Sequence, residues 1–272
     1  MEIKARGLTF EVSAAGPEDG EPVLLLHGFP QDNREFDRLV PYLHEAGLRT
    51  YALNQRGYSP GARPQEVSAY RLREAVADAI AVLDELGIEK VHVVGHDWGA
   101  QIAWLLAANH PGRLRTLTAV SVPHPRALML AIRVRPSQKA RLAYFEVFRS
   151  PRAERLLLGR DAAVLRWMLK PLRAERVQRY VDAAREPGRL TGGLNWYRAF
   201  TTDQIAKTGV ITVPTTYVWS DRDGVVGLTA ALRTADWVSA DYQLMAMRGV
   251  SHWVPEEAPQ ELADAVLARI GV

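Results

Sequence analysis

The chain has 272 residues, 47% of them hydrophobic, with seven Trp, no Cys and a formal net charge of +3. That length suits one large α/β domain or a core with a modest insertion. The missing cysteines exclude disulfides, thiolate metal sites and cysteine nucleophiles, and predict a cytoplasmic location. The charged opening MEIKARGLTF lacks the apolar core of a signal peptide, and no run approaches the length of a membrane-spanning helix.

Short apolar runs and helical patterns alternate on both flanks of the chain. PVLLLHG (22–28) reads as a buried strand, REFDRLVPYLHEAG (34–47) as a helix stopped by Gly47, and LRTYALN (48–54) as the next strand. Over 69–86, Leu72, Val76, Ile80, Leu83 and Leu86 fall near one helical face, with Ser68 as cap and Gly87 as stop. VHVVG (91–95) predicts a strand, then a helix ending at NHPG (109–112), then a strand in RLRTLTAVSV (113–122). The alternation lapses between Pro123 and about Ile205, where the pattern is helical and Arg-rich. It resumes with TTYVWS (215–220), YQLMAM (242–247) and a helix opened by Pro259. The expectation is an α/β fold with a mostly parallel central sheet and helices on both faces. The lapse predicts an inserted helical cap at 124–205, with the core formed by 1–123 and 206–272.

Charge divides along the chain in the same way. From Arg126 to Lys207 there are 18 Lys plus Arg against 7 Asp plus Glu, a surplus of 11, so the remainder is net −8. Two expectations compete: a solvated surface, or a face for an acidic partner, with Arg149, Arg152 and Arg155 at every third residue as first candidates. No reading motif accompanies the charge, so no nucleic-acid partner is expected, and no membrane partner either.

Between the VHVV strand and the following helix lies Gly95-His96-Asp97-Trp98-Gly99. The spacing is that of the nucleophile elbow, Gly-x-Ser-x-Gly, with Asp in place of Ser and in the required strand–turn–helix context. An aspartate after a strand is most often a helix cap. Between two glycines at elbow spacing, Asp97 reads as a nucleophile. The residue type identifies the bond under attack. A serine attacking saturated carbon would leave an ether, which water does not open. A carboxylate leaves an ester whose carbonyl belongs to the enzyme, and water can cleave that. Asp97 therefore predicts alkyl transfer from a strained or activated carbon and excludes a serine esterase.

The hydrolytic step needs a base, an orienting acid and oxyanion donors. RGVSHWVPEEAP, after YQLMAM, offers His252. DRDGVV, after TTYVWS, offers Asp221 or Asp223; Asp223 is favoured, with Asp221 facing solvent. The order nucleophile, acid, histidine is that of the α/β-hydrolase triad. Of the other histidines, His44, His92 and His110 read as surface or helix-end residues, and His27 and His96 as shaping glycine turns. The expected oxyanion donors are the backbone N–H groups of Trp98, next after the nucleophile, and of Phe29 in HGFP.

HGFP, GHDWG, SDRD and SHW, in this order and across about residues 22–265, resemble the α/β-hydrolase-fold epoxide hydrolases. NQRGYSPGARP (54–64) is similar to the family's segment after its fourth strand, where Asp is commoner than this Asn54. The resemblance implies an α/β-hydrolase fold with a cap, no metal, no organic cofactor and a small-molecule epoxide as substrate. It implies opening to a vicinal diol through an Asp97 hydroxyalkyl ester, which a His252/Asp223-activated water hydrolyses. In the family two cap tyrosines protonate the epoxide oxygen. One, in Tyr-x-x-x-Phe-x-x-Pro, matches Tyr144, Phe148 and Pro151, although Arg149 stands where the family often has Gln. The other, in Asn-Trp-Tyr-Arg, matches Asn195 to Arg198 and gives Tyr197. Tyr180 reads as packing. A haloalkane dehalogenase shares the Asp elbow and triad, but commonly has Asn where this chain has Phe29 and lacks the paired tyrosines. Fluoroacetate-type relatives tend to have Arg where this chain has Trp98. A ligand-binding protein without turnover would be marked by a lost triad member, and none is missing.

Overall fold

Val23, Leu24, Leu25 and Leu26 are all buried, as a strand between two parallel neighbours requires. In the computed structural model, which describes all residues from Met1 to Val272, they belong to an eight-stranded sheet. The strands are β1 (Glu2–Ala5), β2 (Leu8–Ala15), β3 (Glu21–Leu26), β4 (Leu48–Leu53), β5 (Val91–His96), β6 (Leu114–Val120), β7 (Thr215–Ser220) and β8 (Tyr242–Met247). Their order is β1-β2-β4-β3-β5-β6-β7-β8. Only the pairings β1 with β2 and β2 with β4 are antiparallel.

The chain has thirteen helices: α1 (Val40–Glu45), α2 (Leu72–Glu85), α3 (Trp98–Asn109), α4 (Pro125–Val134), α5 (Pro136–Arg141), α6 (Tyr144–Arg149), α7 (Ala153–Met168), α8 (Ala174–Ala184), α9 (Arg189–Ala199), α10 (Asp203–Ala206), α11 (Leu228–Arg233), α12 (Val254–Glu257) and α13 (Pro259–Ile270). The period-2 alternation of β3 divides the core. Leu24 and Leu26 pack with α2, α3 and the α4–α10 helices, whereas Val23 and Leu25 pack with Leu39, Leu43, Leu262 and Val266 on the other face. This is the α/β-hydrolase fold.

Three local expectations need correction, and one pair of strands was not foreseen. The N-terminal strands had no expectation at all; they are joined by Arg6-Gly7 at φ 52° and 75°, a two-residue hairpin turn. The helix expected over 34–47 is a 3-10 turn at Asn33–Phe36 followed by α1, with Pro41 in the first turn of α1. Proline is tolerated there and breaks a helix that runs through it. Ser68 does not cap α2: it lies in a 3-10 turn (Val67–Tyr70), and the Leu72 N–H is taken by Gln204 Oε1 at 2.9 Å. His92 is buried rather than on the surface, with Nδ1 2.8 Å from Thr116 Oγ1.

All of α4 to α10 lies between β6 and β7, and ion pairs tie this insert to the core. Arg176 and Arg179 reach Asp37 at 3.0 and 2.7 Å, Arg63 of the core reaches Glu186 at 2.8 Å, and buried Arg189 pairs with buried Asp32. Part of the insert's positive surplus thus meets the negative core directly. Arg149, Arg152 and Arg155 do not share one helix face, because the chain turns at Ser150 to Arg152 between α6 and α7. No helix is long and apolar enough to cross a membrane.

Candidate active site

Parallel register brings five loops to one edge of the sheet. Leu26 pairs with Gly95, Gly95 with Ala119, Val120 with Val218 and Ser220 with Met247, so β3, β5, β6, β7 and β8 end side by side. Sites of α/β sheets lie at such carboxyl ends.

The β5 loop is the tightest. Asp97 has φ 52° and ψ −117°, a left-handed conformation that costs a non-glycine residue energy. The glycines around it make the turn possible. A Cβ on Gly99 would stand 1.9 Å from Leu26 O, one on Gly95 would stand 2.4 Å from Gly99 O, and one on Gly28 would collide with the Asp97 side chain at 2.3 Å. The strained turn lifts the carboxylate off the strand end toward its neighbours.

Asp97 Oδ1 accepts the Phe29 N–H at 2.8 Å, and Oδ2 stands 3.4 Å from His252 Nε2. His252 Nδ1 donates to Asp223 Oδ2 at 2.9 Å. Asp223 is fixed in turn: Oδ1 accepts the N–H groups of Val225 at 2.6 Å and Val226 at 3.0 Å, and its carbonyl accepts from Arg141 at 2.6 Å. Asp221 is exposed and accepts the Gly249 N–H. Trp98, whose N–H was expected as the second donor, is the first residue of α3, where backbone N–H groups have no intrahelical acceptor.

Electrostatics follow from this chain of contacts. Burial disfavours a charged His252, but Asp223 and then Asp97 outweigh it and raise the imidazole to about 10. Burial likewise works against a charged Asp97, and the His252 hydrogen bond and charge hold it below the usual carboxylate value. The ground state is therefore an Asp97 carboxylate beside a His252 imidazolium.

Behind His252 lies a second layer that sequence reasoning missed. The His252 carbonyl accepts from Ser121 Oγ and His96 Nε2, both at 2.9 Å. His96 Nδ1 is 3.1 Å from Glu35 Oε2, and burial raises Glu35 to about 7. His96 Nε2 donates to that carbonyl, and its Nδ1 shares a hydrogen bond with Glu35 Oε2. His96 thus holds the His252 backbone as well as shaping its own turn. His27, which burial lowers to about 4, accepts the Gln55 N–H at Nε2 and bonds the Gly28 carbonyl, as a turn-shaping residue does. His124, about which the sequence prompted no expectation, is buried and stacks on Trp237. Asn54 ties the Asn33 turn to β2, accepting the Asn33 N–H and donating to Glu11.

The insert covers this edge with aromatic rings. Tyr197 is buried, with ring centroids 5.0 Å from Trp98, 5.3 Å from Phe29 and 4.9 Å from Phe148. Tyr144 stands 6.0 Å from Tyr197. Enclosure, and then the Asp97 charge for Tyr144 and the Tyr144 neighbour for Tyr197, push both phenols well above their ordinary value, so both keep their protons. Arg149 donates to the carbonyls of Tyr197 and Phe200, each at 3.0 Å, and so fastens α6 to the end of α9. Tyr180 is buried as expected, with its hydroxyl donating to Glu256. Between insert and core is a mainly apolar cavity of about 630 Å³ that reaches Asp97, Trp98 and Tyr144. No group of three or more His, Cys, Asp or Glu is arranged to hold a metal ion.

A strand-end carboxylate on a strained turn, facing a buried His–Asp pair, marks an α/β hydrolase. Residues 21–259 match the alpha/beta hydrolase fold family. The chain is 33% identical to AB hydrolase superfamily protein YfhM of Bacillus subtilis, over 97% of this chain and 95% of that protein. It is 32% identical to Epoxide hydrolase A of Mycobacterium tuberculosis, over the same shares of each. A solved epoxide hydrolase from Bacillus megaterium superposes over 100% of both chains with a TM-score of 0.91, at 24% identity, a likeness of fold. This chain is a hydrolase and belongs to the α/β-hydrolase family, within it to the epoxide hydrolases that its sequence resembles.

Proposed function

We propose that the protein hydrolyses epoxides to vicinal diols through a covalent ester on Asp97. The observation that carries this reading is an ionised Asp97 on the wall of an apolar cavity that protonated Tyr144 also lines, with protonated Tyr197 packed beside Tyr144. An epoxide oxygen leaves as a strongly basic alkoxide and needs a proton donor, and a phenol suits that task. A halide needs none, which disfavours a dehalogenase. An intact Asp97, His252 and Asp223 set disfavours a binding protein without turnover.

Asp97 Oδ2 attacks a ring carbon, the carbon–oxygen bond breaks, and a tyrosine proton passes to the oxygen. The ester has no charge, so one of the two carboxylates that raise His252 is gone. The imidazolium then gives up its proton, which restores the tyrosine. Neutral His252, oriented by Asp223, takes a proton from water as hydroxide adds to the ester carbonyl. The N–H groups of Phe29 and Trp98 stabilise the oxyanion. Collapse expels the diol alkoxide, which takes the proton of the added hydroxyl, and leaves Asp97 ionised beside charged His252. The helices α4 to α10 act as the cap that keeps bulk water from the ester.

A single turnover in oxygen-18 water tests the ester. Diol from the first turnover should carry unlabelled oxygen from Asp97, with label entering the carboxylate. Diol fully labelled in that turnover would mean direct attack by water.

A further inference from the structure

Glu256 is a buried carboxylate that the proposed reaction does not use. It lies on α12, four residues after His252, and is 4% exposed. Burying a carboxylate is costly unless its oxygens are paired, and the partners of Glu256 come from both sides of the seam between insert and core. On the insert side, the Tyr180 hydroxyl of α8 donates to Oε1, and Arg176 Nε of the same helix stands 3.6 Å from Oε2. On the core side, Gln31 Nε2 donates to Oε1 at 3.4 Å, and Arg38 donates to the Glu256 carbonyl at 2.5 Å. A second tie runs beside the first. Trp253 Nε1 donates at 3.2 Å to the carbonyl of Met168, the last residue of α7.

Both ties act on one short stretch. The N–H groups of Glu256 and Glu257 each bond the Trp253 carbonyl at 3.0 Å, so the turn after His252 is closed and moves with Trp253. Ser121 and His96 hold the His252 carbonyl from the core, and the insert holds the residues that follow it. We infer that Glu256 is a positioning residue: through its bond to Tyr180 the seated insert fixes the loop that carries His252, so ester hydrolysis depends on that bond and alkylation of Asp97 does not. The inference rests on the two-step reaction proposed above. Alkylation needs an ionised Asp97, which its own turn and the Phe29 N–H hold in place. Hydrolysis needs His252 Nε2 aimed at a water, and a small error in aim is costly there.

Single turnovers of styrene oxide, quenched and read by mass spectrometry of the peptide containing Asp97, separate the two steps. Tyr180→Phe keeps the ring and removes the donor. It should slow ester decay by about tenfold, leave ester formation within about twofold, and so let alkylated Asp97 accumulate. Glu256→Met should do the same, and the double variant should be about as slow as either single change, since both break one bond. Glu256→Gln keeps an acceptor oxygen for Tyr180 and should restore ester decay to within about threefold of wild type. A merely structural loss would lower the amplitude of both steps and favour neither. Trp253→Phe cuts the tie to Met168 and gives the same reading should the other variants not fold. Equal slowing of both steps, or of neither, overturns the inference, while ester seen in wild type leaves the proposed reaction standing. If His252→Gln gathers no styrene oxide mass on Asp97, the proposed reaction falls and this inference falls with it.

Discussion

The two halves of the site are held by different physics. On the core side, Asp97, His252 and Asp223 sit on turns fixed by backbone geometry and by hydrogen bonds of 2.6 to 3.0 Å, with glycines that admit no side chain. On the insert side, Tyr144 and Tyr197 are placed by ring packing among Phe29, Phe145, Phe148 and Trp98, with Arg149 as the polar tie between their helices. Hydrogen-bonded turns fix atoms to a fraction of an ångström. Packed rings tolerate small adjustments. Loss of function should therefore be abrupt in the core and graded in the insert.

The sharpest test of that contrast is in the core. Asp97→Asn should lower kcat on epoxides by about 10⁴-fold, and His252→Gln by a similar factor. Only the histidine variant should accumulate a peptide containing Asp97 with the whole epoxide mass added, read by mass spectrometry. If neither variant slows turnover, the core half of the comparison collapses. In the insert, Tyr144→Phe or Tyr197→Phe should each cost about 10- to 100-fold in ring opening, and the pair about 10³-fold or more. Ring opening that survives in the double variant would show that neither tyrosine supplies the proton.

Acidity separates the steps further. His252 is raised to about 10 in the free protein by Asp223 and Asp97, and alkylation removes the Asp97 charge. Single-turnover alkylation should be flat from about pH 6 to 9, while ester hydrolysis should rise with pH and level off below about pH 10. A hydrolysis limb centred at 10 would mean that the Asp97 charge contributes nothing. The sign for stability follows from the same shift. The raised His252 stabilises the fold fully below about pH 6.5, and that contribution fades as pH climbs toward 10.

Smaller effects are expected at the arginines. Arg149→Met frees two carbonyls at the end of α9 and should lower kcat by about fivefold, with a Tm loss of about 2–4 °C. Arg152→Gln with Arg155→Gln alters exposed side chains and should leave kcat/KM on a neutral epoxide within about twofold. A large loss there would give the basic insert a role in substrate capture.

Much of the core half was legible because its signals are local. GHDWG and HGFP state their turns in the residues themselves, and TTYVWS and YQLMAM matched β7 and β8 to the residue. The N-terminal hairpin was not, since Arg6-Gly7 is a weak turn signal beside Asn-Gly. The support behind His252 was also hidden. Glu35, His96 and Ser121 come from a 3-10 turn, the last residue of β5 and the residue after β6, far apart in sequence, and only the parallel sheet brings them together. His92 looked solvated because an isolated histidine gives no sign of a threonine waiting on the next strand.

The pairing of β6 with β7 carries one more consequence. Both ends of the α4–α10 insert emerge from adjacent strands that bond to each other from Leu117↔Thr215 to Val120↔Val218. The sheet is therefore closed beneath the insert, whatever the insert contains. In an evolutionary or engineering sense the roof is exchangeable. Helices could be grafted from a relative, or randomised around the cavity, without rewriting the floor, provided that the graft still presents arginines to Asp32 and Asp37 and keeps counterparts of Tyr144, Tyr180, Tyr197 and Arg141. Substrate range can drift quickly on such a chassis while the chemistry stays put.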